Sequence, residues 1–108
     1  MSYMFSGCIS LKTINFLYFN TQNVISMGWM FHRCKSLINL DLSNFNTENV
    51  ENMEYMFSTC SSLIELNISN FSAKNIKKID CMFEHCSSLF DLICFDNKII
   101  DKFKNKIH

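Results

Sequence analysis

The sequence contains no proline and only two glycines, Gly7 and Gly28, among its 108 residues. Flexible linkers rich in these residues are therefore excluded, and the length fits a single domain. Ten basic side chains balance ten acidic ones, so no excess of charge favours binding to nucleic acid or to an anionic membrane surface. Apolar residues make up 48% of the chain, which is enough for a continuous core.

Features that would direct the chain to or across a membrane are also missing. No apolar run approaches the roughly 20 residues of a transmembrane helix. The N-terminal segment 1–5 has no basic region followed by an apolar region, as a signal peptide would have. The sequence therefore predicts no membrane span, and it leaves two interpretations open: an intracellular protein or a segment of a longer protein.

The dominant feature of the sequence is a repeat of 26 residues. The motif Met-Phe-x-x-Cys-x-Ser-Leu occurs four times, and its methionines are Met4, Met30, Met56 and Met82. Because a lone unit of this size cannot bury its apolar face, the constant spacing predicts units that stack on one another. The motif is already present at Met4, and this favours the interpretation that the chain is a segment of a longer protein.

Each repeat has two halves with different hydrophobic periods. In residues 50–60 the apolar positions follow the spacing i, i+3, i+6, i+7 and i+10, which predicts one face of a short helix. The following pattern, Leu-x-x-Leu-x-Ile from Leu63, predicts the short strand of a leucine-rich repeat. Beyond residue 96, lysines lie between Ile99, Ile100, Phe103 and Ile107, which predicts an amphipathic helix that covers the open edge of the last repeat.

These patterns together predict an α/β fold. The expected architecture is a leucine-rich-repeat solenoid of about 3.5 repeats of 26 residues, each with a short strand and a short helix, closed by a C-terminal capping helix. We divide the single domain 1–108 into a partial first repeat, three further repeats and the cap, at 1–22, 23–48, 49–74, 75–96 and 97–108.

The segment Leu40–Phe71, LDLSNFNTENVENMEYMFSTCSSLIELNISNF, resembles the BspA-type leucine-rich-repeat surface proteins. The resemblance extends from residue 3 to about residue 94. It implies a curved solenoid displayed on a microbial surface, which adheres to host cells, matrix proteins or other microbes. The motif brings no catalytic residues with it. The resemblance therefore implies a cell-surface or extracellular protein, while the missing signal peptide leaves a cytoplasmic location open.

The cysteines repeat at the same spacing and could suggest metal or thiol chemistry. Cys8, Cys34, Cys60 and Cys86 form one column. Zinc needs four ligands that converge on a tetrahedron, whereas side chains stacked in a ladder run parallel, so we expect buried thiols that act as small hydrophobic groups and no metal. An alternative is a thiol- or metal-dependent activity near the C-terminus, where four potential ligands lie close in sequence: Cys81, His85, Cys86 and Cys94.

The positions that vary between repeats on the predicted strands are the best candidates for function. In a leucine-rich repeat such positions lie on the exposed concave sheet, where polar and apolar side chains next to one another suit protein recognition. An ordinary solvated sheet face would show the same mixture. The candidate binding face comprises Ile38, Asn39, Asp41, Ile64, Glu65, Asn67, Phe90 and Asp91.

The function predicted from the sequence is a non-enzymatic protein-binding module without a cofactor. The first interpretation is a cell-surface adhesion or interaction protein, or a fragment of one, whose partner is a host or microbial surface protein. The second is an intracellular protein–protein interaction scaffold. Neither interpretation involves nucleic acid or a membrane span.

Overall fold

The computed structural model describes residues 1–105. Its three strands, β1 Asn39–Asp41, β2 Glu65–Asn67 and β3 Asp91–Ile93, form one open parallel sheet in chain order. The register joins residues that are 26 apart in the sequence, as in the pairing of Leu40 with Leu66 and of Leu66 with Leu92. The repeat spacing found in the sequence is thus the pairing distance of the sheet.

The predicted α/β leucine-rich-repeat solenoid, with about 3.5 strand-plus-helix repeats, is wrong. Within residues 1–105 the structure has three short strands and a single helix, α1 Asn97–Lys104, and none of the short helices expected inside the repeats forms. Residues 53–60, for which the hydrophobic spacing predicts a helix, are a succession of tight turns. Residues 11–16, where the first repeat would place a strand, form none in the described chain.

The repeat helices are absent because the backbone N–H groups of the turns bond in another way. Alternate N–H groups donate to carbonyl oxygens 25 residues further along the chain, in the next repeat. In the central copy four such bonds of 2.7–3.0 Å run from Met53, Tyr55, Phe57 and Thr59 to Lys78, Asp80, Met82 and Glu84. An α-helix needs each of these N–H groups for its own carbonyl four residues back. The bonds between repeats therefore exclude a helix.

Residues with positive φ also interrupt the turns. One column has φ of 56–64° and comprises Tyr3, Trp29, Tyr55 and Cys81; a second has φ of 62–75° and comprises Gly7, Arg33, Thr59 and His85. A left-handed residue cannot continue a right-handed helix, and it costs a bulky side chain about 1–2 kcal/mol. Stacking of the aromatic rings in the first column offsets part of this cost. The ring centroids are 5.7 Å apart for Tyr3 and Trp29 and 4.0 Å apart for Trp29 and Tyr55.

The core lies between the sheet and the turns and consists of columns of identical or similar residues. Methionine, phenylalanine and cysteine of the repeated motif are buried in the second, third and fourth copies, and Leu37, Leu63 and Leu89 form a further buried column. In the first copy, Phe5, Cys8 and Leu11 are only partly buried. The predicted core columns are therefore confirmed in the two central repeats, whereas members in the first turn and some in the last repeat, such as Leu92 and Cys94, are only partly buried.

Helix α1 packs over the last repeat. Asp96 caps its N-terminus, because Asp96 Oδ1 accepts hydrogen bonds from the backbone N–H groups of Lys98 and Ile99 at 3.0 and 3.2 Å. Ile99 is fully buried, and the ring of Phe103 meets that of Phe83 edge-on at 5.7 Å. The part of the predicted cap at 106–108, which contains Ile107, lies outside the described residues.

Membrane insertion through a helix finds no support in this fold. None of the helical structure in residues 1–105 has the length and apolar character that a bilayer span requires.

Candidate functional site

The sheet presents one face to the core and the other to solvent. In β1, Leu40 is buried while its neighbours Asn39 and Asp41 are exposed, and β2 follows a similar pattern around Leu66. This is the alternation expected of a strand that is buried on one side. The side chains of alternate strand residues therefore form a surface that extends across all three strands.

The residue before each strand also lies on this exposed face. The carbonyl of Ile38 accepts hydrogen bonds from two successive N–H groups, those of Ile64 at 2.8 Å and Glu65 at 3.3 Å. The carbonyl of Ile64 in turn accepts from Phe90 at 3.3 Å and from Asp91 at 3.0 Å. At these positions, where two donors share one acceptor, two consecutive side chains are exposed together. An apolar row thus runs beside the polar row, and its members are Ile38, Ile64 and Phe90, with exposed fractions of 47%, 41% and 78%.

A depression of about 680 Å³ occupies the centre of this face. Six of the eight predicted site residues line it: Asn39, Asp41, Glu65, Asn67, Phe90 and Asp91. The remaining two, Ile38 and Ile64, are exposed on the same face but do not line the depression. The structure therefore brings the predicted residues onto one surface and divides them between a depression and its apolar border.

Two apolar residues of this end of the molecule are missing from the predicted site. Ile93 is 48% exposed and lines the depression, and Phe95 is 77% exposed just beyond β3. A signal for Ile93 is present in the sequence, because it occupies the same repeat position as Asp41 and Asn67. No comparable signal marks Phe95, which lies where the repeat pattern ends.

Carboxylates give the depression a negative charge. Among residues 1–105, its ionisable lining residues are Asp41, Glu65 and Asp91, which are all acids. Hydrogen bonds from the Ser43 side chain and backbone hold the pKa of Asp41 below its usual value, and the Ser43 N–H lies 2.9 Å from Asp41 Oδ1. Among residues 1–105 the ion pairs of lysine with acids lie elsewhere, between Lys77 and Glu51 and between Lys102 and Asp80.

The cysteine column is part of the core and has a role that the spacing does not reveal. Each buried thiol donates to the carbonyl of the phenylalanine in the preceding repeat: Cys34 to Phe5 at 3.1 Å, and Cys60 to Phe31 at 3.0 Å. Burial raises the pKa of Cys34 to about 11, and it also raises the pKa of Cys60. These thiols stay protonated near neutral pH, and each is the second donor to its carbonyl: Phe5 and Phe31 also accept from the backbone N–H groups of Cys8 and Cys34, both at 3.1 Å.

Thiol labelling should separate the buried cysteines from the others. Cys34, Cys60 and Cys86 are buried, whereas Cys8, Cys81 and Cys94 are partly exposed. Because the thiolate is the reactive form, we expect maleimide at pH 8 to modify the second group and to leave the first unmodified until urea unfolds the chain. Peptide mapping by mass spectrometry would identify the sites. Rapid native labelling of any of the three buried thiols would contradict the core assignment.

The cysteines and histidine near the C-terminus do not converge. No group of three or more His, Cys, Asp or Glu side chains suited to holding a metal ion occurs within the described range 1–105. Cys86 is buried in the core column, while His85 is exposed and lies 3.8 Å from Glu84. Cys81 instead hydrogen-bonds Tyr55, and this bond raises the tyrosine pKa.

Away from the sheet face, the residues around Glu51 form a second exposed surface that carries charge. Lys77 and Glu51 pair there at 3.3 Å, with side chains 73% and 45% exposed. Asparagine side chains link successive repeats on this side, as Asn75 Nδ2 donates to the Glu48 carbonyl at 2.7 Å. The surface is largely polar, although Ile25 is 59% exposed beside Glu51 and Asn75.

Comparison with known proteins gives one match. A family model described as "Mycoplasma protein of unknown function, DUF285" matches residues 1–106. No curated protein and no solved structure matches the chain.

Proposed function

We propose that this chain, which belongs to the DUF285 family of Mycoplasma proteins, is a non-enzymatic protein-binding module that contacts its partner with the exposed sheet face. The observation that carries the proposal is the composition of that face. Ile38, Ile64, Phe90 and Ile93 are each more than 40% exposed, and they lie beside polar residues on one surface. Exposed apolar side chains that form a contiguous patch mark interaction sites, whereas scattered ones do not.

The rigidity of the face also supports a binding role. Backbone hydrogen bonds fix the three strands, and the side chains of Asp41 and Asn67 are held by the N–H groups of Ser43 and Ser69 at 2.9 and 3.0 Å. A preorganised surface loses less conformational entropy when a partner binds. Three short strands form a small patch, so we expect this face alone to bind weakly.

Substitutions on the two sides of the molecule test the proposal. The assay is biolayer interferometry of the purified protein against a panel of cell-surface and extracellular-matrix proteins. We expect Ile64→Glu and Asn67→Arg to weaken binding at least about tenfold, because each places a charge or bulk where a partner would pack. The melting temperature should change little, since both side chains lie outside the fully buried core.

The matched controls are Glu51→Lys and Lys77→Glu on the opposite side. These residues form an exposed ion pair, which contributes little to stability, so each single reversal should leave both binding and folding nearly unchanged. The proposal is wrong if the controls abolish binding while the sheet variants bind normally. It also fails if no panel protein and no other protein ligand binds through the sheet face.

We propose a cell-surface location, in keeping with the resemblance to BspA-type surface proteins. The alternative is an intracellular scaffold that uses the same face. Labelling of intact cells with a membrane-impermeant biotin reagent distinguishes the two, because only a surface protein is modified before lysis. A cytoplasmic protein assayed in parallel reports any leakage.

A further inference from the structure

The distribution of charge on the sheet face indicates what kind of segment it binds. The chain has as many basic as acidic side chains, yet the ionisable residues that line the depression within the described range 1–105 are three acids. Charge is therefore segregated on this face while the molecule remains neutral. A negative surface of this kind repels nucleic acid and anionic membranes and attracts cationic groups.

Two of the carboxylates lie side by side. Glu65 and Asp91 are direct partners in the register between β2 and β3, and both side chains are exposed. Neighbouring strands are about 4.8 Å apart, and like charges directly opposite one another destabilise a sheet. A cationic group placed between the two carboxylates would remove this repulsion. The third acid, Asp41, lies on the strand next to Glu65, opposite Asn67.

Apolar side chains flank the acids on both sides. Phe90 directly precedes Asp91 in the chain and is 78% exposed. Ile93 lies two residues after Asp91, beyond the half-buried Leu92, and is 48% exposed. A ligand that reached only the acids would leave these apolar groups in water. A ligand with apolar side chains beside its basic ones would cover both kinds of surface.

We infer that the sheet face binds an extended cationic peptide segment in which lysine or arginine alternates with aliphatic residues. The inference rests on the proposed protein-binding function and adds the chemical class of the partner. A basic side chain lies between Glu65 and Asp91, and the aliphatic side chains cover Phe90 and Ile93. Arginine suits the pair of carboxylates because its guanidinium can donate to two acceptors at once.

Three synthetic peptides of equal length test the inference, with alternating Leu-Lys, Leu-Gln and Leu-Glu sequences. We expect fluorescence anisotropy to show that the labelled Leu-Lys peptide binds the full chain at least about tenfold more tightly than the Leu-Gln peptide. The Leu-Glu peptide should not bind. Binding of the Leu-Lys peptide should weaken as salt is raised from about 50 to about 500 mM, because exposed charges are screened.

Charge-neutral variants locate the binding. The double variant Glu65→Gln, Asp91→Asn should bind the Leu-Lys peptide about tenfold more weakly and should melt no lower than the parent, since it removes a repulsion. The matched control, Glu48→Gln with Glu51→Gln on the opposite side, makes the same change in net charge and should bind normally. Equal losses in both double variants would show non-specific attraction and overturn the inference.

The outcomes also separate this inference from the proposed function. If the Leu-Gln peptide binds as well as the Leu-Lys peptide, and Ile64→Glu abolishes both, the face binds protein but the charge argument is wrong. If none of the peptides binds while a panel protein does so through the sheet face, the cationic partner is likewise wrong and the proposed function stands. Binding that is insensitive to every sheet variant contradicts both.

Discussion

Replacing Phe57 by alanine is expected to lower the free energy of unfolding by about 3–5 kcal/mol, a large part of the roughly 5–15 kcal/mol typical of a domain. Phe57 is fully buried in the middle of the phenylalanine column, and its ring centroid lies 5.7 Å from that of Phe31 and 5.8 Å from that of Phe83. Truncation removes contacts with both neighbours and leaves a cavity that the hydrogen-bonded turns cannot close.

Urea unfolding followed by circular dichroism measures this effect. The midpoint should fall while the slope against urea concentration stays constant, as is expected when stability changes without a change in the exposed area. The control is Tyr18→Ala, because Tyr18 is 92% exposed and surface truncations usually change stability by less than about 0.5 kcal/mol. Similar midpoints for the two variants would show that the column does not carry the stability of the core.

Replacing Ile99 by alanine is expected to lower the free energy of unfolding by about 2–5 kcal/mol and to release α1 from the last repeat. A helix of eight residues is unstable alone in water, so its folding depends on the side chains that dock it. Ile99 is the buried residue of α1. Once the helix is released, apolar side chains of the last repeat such as the Phe83 ring become accessible, and association between molecules should follow.

The adjacent Ile100→Ala variant is the matched control for the helix. It makes the same chemical change at a half-buried position of α1. It should therefore lower the free energy of unfolding clearly less than Ile99→Ala does. Thermal unfolding measures stability, and size-exclusion chromatography with light scattering measures association. If Ile99→Ala associates no more than Ile100→Ala and melts at the same temperature, α1 does not cap the last repeat.

The period of the repeat and its buried columns could be predicted from the sequence alone. Stacking requires the same side chain at the same place in each unit, so the constant spacing of Met30, Met56 and Met82 is enough to identify them as a column. The strand around Leu66 could be predicted for a similar reason, because its alternation matches a sheet that is buried on one side.

The turns could not be predicted, because the residue types in them do not indicate the positive φ angles that the backbone adopts. Positive φ is usually marked by glycine or asparagine, yet here it occurs at Trp29, Tyr55 and Thr59. In the column that Gly7 forms with Arg33, Thr59 and His85, only the glycine is a residue type that predicts positive φ. The tight turns bring residues to the core at spacings that coincide with those of a helical face, so hydrophobic periodicity alone leads to the wrong element.

The candidate face was predictable as a set of positions, but its charge arrangement was not. Column analysis places Glu65 and Asp91 in equivalent positions, whereas their direct pairing depends on the parallel register of the strands. The outward position of Ile38 depends on a carbonyl shared by two N–H groups, a backbone detail without a sequence signal. For the same reason, the sequence shows the thiol of Cys60 only as an apolar group and not as a hydrogen-bond donor.

The hydrogen bonds that alternate N–H groups of the turns make to the carbonyls 25 residues further on run in one direction, whereas bonds at Glu51 and at the strands also run the other way. At the peptide unit that joins Asn52 and Met53, the carbonyl accepts from Met27 at 2.9 Å and the N–H donates to Lys78 at 2.8 Å. Peptide dipoles aligned in this manner add, as they do along a helix. Within this column of turns, the first turn is therefore the carbonyl end, which is negative, and the last turn is the N–H end, which is positive. Two copies that met by their first turns would oppose carbonyl to carbonyl, so any chain that extends the stack at that end must present N–H groups.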